Sequence, residues 1–386
     1  MVNRQVFLIL SSSPSPGSIL SVIMQTILRT FCCVIAFALT VTGQETFYTL
    51  DDYDKVEKID SHFHIRTVEP TFVKLAAQDQ FKFLNVVVHT TNPIELKQKH
   101  QASFAQKEAH PGHVEVASAF PLEGWDDVDW IEKTIQYLEA TFRNGAVVVK
   151  VWKDIGMEFR DKDGKLVMID DPQFDPVFDY LEQKGIRLMG HLGEPKNCWL
   201  PLDEMTVEND RNYFRRNPKY HMYLHPEMPS YEDQINARNR MLDKHPKLLF
   251  IGAHFGSLEW SVDELGKFLD KYPKAVVDTA ARMGQIQYQS NLDLKRVRNF
   301  FIKYQDRIVY GTDGGVAAPG QAKAAYYQMQ QRWISDWKYL CTDEEQSVPV
   351  LDLPVKGLKL PRTVIDKIYR KNIKRVFPHC WNTSTK

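Results

Sequence analysis

The chain of 386 residues reads as an α/β protein and, within that class, as a (β/α)8 TIM barrel with a long insertion after the fifth strand. Three observations carry that reading. Eight short apolar runs, rich in β-branched residues, recur along the chain. Helical or irregular segments separate them. Runs such as Val147-Val148-Val149 also lack the polar alternation of a half-exposed strand. Strands covered by helices on both faces of a parallel sheet have that composition. A doubly wound open sheet is the alternative architecture.

The first run, Lys58-Ile59-Asp60-Ser61-His62-Phe63-His64-Ile65, is a strand that ends in two histidines. Residues two apart share a face of a strand, so the imidazoles of His62 and His64 can converge on one point. The later strands are Phe83 to His89, Val114 to Phe120, Ala146 to Trp152, Ile186 to His191, Leu248 to His254, Ala275 to Thr279 and Arg307 to Thr312. Between them, Val128, Ile131, Ile135, Leu138 and Phe142 repeat at helical spacing, with Gly145 as a stop. Asp175-Pro176 opens the next helix as N-cap and first-turn proline, and Gly185 ends it. Ser230-Tyr231-Glu232-Asp233 has the form of a capping box ahead of Ile235 and Met241-Leu242. Asn291 caps a helix carrying Leu294, Val297 and Phe301. The interval from Leu192 to Leu248 is the longest between strands and carries Trp199-Leu200-Pro201 and Tyr220-His221-Met222-Tyr223-Leu224-His225-Pro226. An excursion after a barrel strand lies at the catalytic face. It reads either as a substrate-enclosing lid or as a surface segment packed by its own aromatics.

Lys+Arg and Asp+Glu are both 49, so no net charge draws the chain toward nucleic acid or an anionic membrane. Residues 1–43 read as a signal peptide with an upstream extension. Arg29 precedes the apolar run Phe31 to Val41, and Val41-Thr42-Gly43 offers small residues for cleavage. That run is too short to span a bilayer, and a start at Met24 would give the leader a conventional length. A tail ending in a buried strand is the other reading. Residues 44–386 then form one barrel domain, secreted or periplasmic and without stable membrane insertion. Cys198, Cys341 and Cys380 are too scattered for a disulfide framework. The expected partner is a small-molecule substrate, and a homodimer is the default assembly.

In a barrel the C-terminal strand ends carry the chemistry. His62 and His64 stand at the first, Lys150 in the fourth, and His191 follows Met189-Gly190 at the fifth. His254 ends the sixth in Ile251-Gly252-Ala253-His254, and Asp313 ends the eighth in Gly311-Thr312-Asp313-Gly314-Gly315. Singly, each histidine could be a satisfied core residue and Asp313 a turn cap. Together they form a metal-competent set whose imidazole and carboxylate donors suit zinc, manganese or iron. Lys150 lies between valines in a doubly buried strand, where a charged amine is costly unless paired or modified. Otherwise it reaches the barrel mouth and binds a substrate anion.

Asp60-Ser61-His62-Phe63-His64, Gly190-His191, Ala253-His254-Phe255-Gly256 and Arg307-Ile308-Val309-Tyr310-Gly311-Thr312-Asp313 resemble the amidohydrolase superfamily. Within it, they resemble the metal-dependent hydrolase branch related to aminocarboxymuconate-semialdehyde decarboxylase. The resemblance runs from about Ile59 to Phe377, with Ile368 to Phe377 similar to the helix that closes such domains. It implies that His62, His64, His191 and Asp313 bind a divalent metal, Zn2+ by default, which lowers the pKa of a bound water to roughly 7. Asp313 would accept that water's proton. His254 would serve as a second acid–base group or polarise the substrate carbonyl. In binuclear members a carbamylated lysine on strand four bridges two ions. Lys150 stands at that position, and His191 and His254 would then bind the second ion. The branch that matches best is usually mononuclear, so one ion is favoured over two. Candidate substrate contacts are Arg282, Lys153 and His225, with Arg66 at the mouth and Trp152 and Trp199 as walls. The odd offset of Lys153 from Lys150 puts it on the opposite face if the strand continues. The expected activity is hydrolysis of an amide, ester or lactone bond in a small organic substrate. Non-oxidative decarboxylation of a small carboxylic acid is the alternative. An exported binding protein that kept the barrel but lost catalysis is the reading from another class.

Overall fold

A computed structural model describes residues 46–90 and 92–381. The leader read at residues 1–43 lies outside the described residues. No helix among those described is long and apolar enough to cross a membrane.

Nine parallel strands form one sheet in the order β8-β7-β6-β5-β4-β3-β2-β1-β9. They are β1 (Lys58–Ile65), β2 (Phe81–Val86), β3 (Val114–Ser118), β4 (Ala146–Val151), β5 (Arg187–Gly190), β6 (Leu249–Gly252), β7 (Val276–Asp278), β8 (Ile308–Val309) and β9 (Gly314–Val316). The last two are successive pieces of one stretch. β8 pairs with β7, and β9 pairs with β1. Between them Ser61 N donates to Tyr310 O at 2.9 Å, and Asp313 N donates to His62 O at 2.8 Å. The eighth strand thereby closes on the first, giving the (β/α)8 barrel.

Ile59, Leu84, Ala117, Val148, Met189, Ile251, Val276 and Val309, one from each of β1 to β8, build an apolar layer together with Ile373, Val376, Phe377 and Trp381 near the C-terminus. Each fully buried aliphatic side chain contributes about 1.5–3 kcal/mol, so this layer and the shell between strands and helices hold the barrel together. The outer shell takes Phe63, Phe83, Val149, Leu188, Phe250, Val277 and Ile308. Strand alternation then carries Lys150, His191 and Asp278, each two residues beyond an inward apolar residue, to the next interior level. β1 needs a further device. Asp60 pairs with Phe83 but Phe63 pairs with Asn85, so three steps on β1 match two on β2. This bulge inverts the alternation. Ile59 faces inward, Phe63 faces the helices, and His62 and His64 return to the interior.

The helices follow the sequence with local shifts. Trp130–Arg143 leaves Val128 outside and exposed, and Gly145 follows at φ +94°. The helix Asp175–Lys184 is preceded by a 3-10 turn, Pro172–Phe174. The capping side chain is therefore Asp171, which accepts from Gln173 N at 3.0 Å, and not Asp175, which is already helical. Ser230 and Asp233 form the expected capping box on Tyr231–Lys244. Asn291 is not a cap. The helix Met283–Lys303 runs through it and breaks at Asp293 (φ −155°), whose Oδ1 accepts from Arg296 N at 2.9 Å. A short carboxylate three residues before an unpaired N–H is the better restart signal.

Residues 191–248, between β5 and β6, fold into the helices Glu208–Arg216 and Tyr231–Lys244 with intervening 3-10 turns. Cys198, Met205, Phe214 and Met222 form a small apolar core of their own there with Met157.

Candidate active site

Three imidazoles are oriented from behind. His62 Nδ1 lies 2.8 Å from Asp278 Oδ2, His64 Nδ1 lies 2.7 Å from Val86 O, and His254 Nδ1 lies 2.9 Å from Ala280 O. An acceptor at Nδ1 places the proton there and leaves the Nε2 lone pair facing forward. The Nε2 atoms of His62 and His64 stand 3.5 and 3.0 Å from Asp313 Oδ1. With Nδ1 of His64 already donating, its Nε2 and the carboxylate are two acceptors that a proton or a cation must bridge. Burial, reinforced by Lys150, depresses the His62 pKa. It also holds His191 and His254 well below the ordinary value, in the neutral form a metal requires.

Two groups of donors lie within 4.8 Å of one another: His62, His64 and Asp313, and His62, His254 and Asp278. Only in the first is the carboxylate free of backbone donors. Asp278 already accepts from His62 Nδ1, from His254 N at 2.7 Å and from Ala280 N at 3.1 Å, so it holds the site from outside. His191 Nδ1 meets His254 Nε2 at 3.1 Å, while His191 Nε2 is buried without a hydrogen-bond partner. His62, His64 and Asp313 are the donor set that fits a divalent metal, and His191, expected beside them, lies in neither group.

Backbone geometry sharpens the site. His254, Phe255 and Ser257 after β6, Ala281 after β7 and Asp313 after β8 are non-glycine residues at φ between +55° and +58°. Each such conformation costs on the order of 1 kcal/mol, and they gather where three strands leave the barrel. Asp60 secures the last of these. It accepts from Thr312 N at 3.0 Å, Thr312 Oγ1 at 2.5 Å and His62 N at 3.2 Å. Burial pushes its carboxyl up to about 7 despite those bonds. Gly311 lets the eighth strand approach, because a Cβ there would stand 3.0 Å from His62 Cβ. Asp313 is 31% exposed. Its burial acts against ionisation, but the hydrogen bond with His64 outweighs it and holds the carboxyl well below the usual range.

These groups open into a cavity of about 320 Å³ that Trp152, Lys153, Glu194, Tyr213 and Arg282 also line. Lys150 is fully buried, 3.4 Å from His62 Nε2, and burial brings its pKa down to about 8. Lys153 lines the same cavity, not an opposite face. β4 ends at Val151, so alternation no longer governs position 153. Its ammonium is ion-paired with Glu194 and 3.3 Å from the Tyr213 hydroxyl. Arg66 and Arg282 line the cavity, but His225 does not. His225 turns back on its own loop, 3.0 Å from Pro218 O. Trp199 likewise packs on Tyr231 and donates to Pro229 O. The sequence reading assigned no role to Asp278, Asp60 or Glu194. The first two carry the signal already applied to Lys150, a charged residue inside a doubly buried strand. Asp210 and Tyr213, which reach the cavity from the helix Glu208–Arg216, carry none.

A family model described as amidohydrolase matches residues 124–379, about two thirds of the chain. None of the curated proteins compared matches. Solved structures similar to the chain include 4-oxalomesaconate hydratase from Rhodopseudomonas palustris, at 15% identity and TM-score 0.45, covering 83% of this chain and 95% of that one. A candidate 2-pyrone-4,6-dicarboxylic acid hydrolase from Pseudomonas putida is 12% identical at TM-score 0.44, covering 85% and 99%. A D-hydantoinase from a Thermus species is 13% identical at TM-score 0.43, covering 70% and 61%. The family match names no branch within the superfamily. On that match, the chain belongs to the amidohydrolase family and is an enzyme whose barrel carries histidine and aspartate donors for a divalent metal.

Proposed function

We propose that this enzyme is a metal-dependent hydrolase cleaving an amide, ester or lactone bond in a small organic substrate. The observation that carries the reading is the pinning of three imidazoles through Nδ1, with the Nε2 atoms of two of them turned toward the Asp313 carboxylate. His62, His64, His191 and Asp313 would hold one ion, zinc by default, with Lys150 left as an amine. When bound, such an ion supplies electrophilic activation of water and of a carbonyl.

The chain's own residues do the rest. Asp313, kept as a carboxylate, accepts the proton of the attacking water on the oxygen turned away from His64. His254, neutral and fixed on Ala280 O, is the second acid–base group, with Nε2 giving up its 3.1 Å contact with His191 Nδ1 to take the proton that must reach the leaving group. Asp278 keeps His62 in the required tautomer. A cavity of about 320 Å³, near the lower end of ligand pockets, favours a small molecule over a polymer.

Elemental analysis of the purified protein, with a screen of amides, esters and lactones, tests the reading. We expect one equivalent of a divalent transition metal, and a new carboxylate with a released amine or alcohol that a chelator abolishes. Metal-free protein with full activity would sink it. CO2 release from carboxylated substrates would replace it with the decarboxylase alternative.

A further inference from the structure

Residues 191–248 pack partly against themselves and partly against the barrel. Their stem is fastened. Ser257 Oγ donates to Gly193 O at 3.0 Å, Lys196 N donates to Glu259 Oε1 at 2.9 Å, and Trp199 donates to Pro229 O while packing on Tyr231. Beyond the stem, residues 200–228 carry Met205, Phe214 and Met222, which share a small apolar core with Cys198 and Met157. Asn209, Asp210, Tyr213 and Phe214 of the same stretch line the cavity.

The ties that hold this stretch down differ in kind. Arg211 meets Asp352 at 3.5 Å and Lys219 meets Glu158 at 3.7 Å, and such solvent-facing pairs contribute little. Glu208 N adds a backbone bond to Val350 O at 3.0 Å. The buried polar ties stand in the cavity wall. Lys153, ion-paired with Glu194 on the stem, places its ammonium 3.3 Å from the Tyr213 hydroxyl and 4.3 Å from the centre of the Tyr220 ring. Asp210 Oδ2 accepts from Gln285 Nε2 of the helix Met283–Lys303 and from Asn197 Nδ2 of the stem, both at 2.8 Å. Desolvated cation–π contacts and charge-assisted bonds of this kind outweigh the surface pairs. A stretch with a small core of its own, tied down by polar groups, opens at lower cost than the barrel unfolds.

We infer that residues 200–228 are a lid that opens about its fastened stem, and that Lys153 is the catch holding it over the cavity. A molecule filling the cavity meets both Lys153 and Asp210, so occupancy of the site and closure of the lid are coupled. As a gate to the chemistry this rests on the hydrolase reading. As a movable unit it does not.

Three free, buried cysteines test it, one in each core. Cys198 lies in the lid's core, Cys341 in the shell between strands and helices, and Cys380 in the barrel's interior layer. The native protein is treated with N-ethylmaleimide, and the labelled sites are read over time by mass spectrometry. Cys198 should react faster than Cys341 and Cys380. Lys153→Met should speed Cys198 by about 10- to 100-fold, the loss of one charge-assisted bond, and leave the other two unchanged. Cys198 reacting no faster than the other two in the unaltered protein would overturn the lid, a comparison that stands even if the variant folds poorly. An unchanged Cys198 rate in folded Lys153→Met, or equal acceleration of all three thiols, would overturn the catch. The metal analysis reports separately. Fast, Lys153-dependent labelling of Cys198 in a protein that takes up no metal would end the hydrolase reading and keep the lid; the reverse result would do the opposite.

Discussion

Asp278→Asn isolates the role of the buried acid behind the histidines. The carboxylate accepts from His62 Nδ1 through Oδ2, and from His254 N and Ala280 N through Oδ1. Asparagine has one acceptor oxygen. Two backbone donors converge on Oδ1, so the amide oxygen stays with them and the NH2 group turns to His62. Two donors would then meet, and His62 relieves the conflict by moving its proton from Nδ1 to Nε2. That proton occupies the lone pair turned toward Asp313. Outer partners of this kind are worth about 10- to 100-fold in metal affinity, or about 1.4–2.7 kcal/mol. Competition against a chromophoric chelator measures the affinity, and nitrogen-15 chemical shifts of the His62 ring in metal-free protein report the tautomer. The fold should persist, because both backbone N–H groups keep their acceptor. Unchanged metal affinity with an unchanged His62 tautomer would refute the reasoning.

Asp313→Asn should lower turnover by about 100- to 10,000-fold, the usual worth of a positioned proton acceptor, while circular dichroism and melting temperature stay close to wild type. Gly311→Ala forces a methyl within 3.0 Å of His62 Cβ and should cost about 1–3 kcal/mol in denaturant unfolding, with weaker metal binding. A melting curve that matches wild type would contradict that close approach. Burial lifts Glu259, whose Oε2 has no partner, from 4.5 to about 7. The folded state therefore holds this proton more tightly than the unfolded chain. Its contribution to stability is complete below pH 4.5 and is lost as pH rises to about 7, a change of about 3 kcal/mol. Glu259→Gln should remove that slope, so the stability difference between wild type and variant should narrow or reverse between pH 5 and pH 8. A parallel pH profile for the two proteins would exclude Glu259 as its source.

Much of the site was legible because barrel strands obey a short-range rule. Apolar runs without polar alternation announce strands buried on both faces, and a charged residue inside one must serve a purpose. That logic reaches Lys150 and extends without change to Asp60 and Asp278. It also locates His191 and Asp313 at strand ends. The helix at Asn291 failed for a local reason. Either Asn291 or Asp293 can cap, and only the φ break at Asp293 decides which does.

The sequence alone determined the alternating strands and helices, the histidine pair and the strand-end donors, since these follow from periodicity and residue chemistry along the chain. Tertiary structure decided the aim of each side chain. Strict alternation from Ile59 would turn His62 and His64 outward, and the bulge against β2 turns them in. Termination of β4 at Val151 brings Lys153 into the cavity, and the path of residues 191–248 brings Asp210 and Tyr213 there while keeping His225 out. The buried Nε of Arg282, left without a partner, belongs to this second class. A hydrogen bond left unmade depends on every neighbour's position, and those neighbours are up to scores of residues away in the chain.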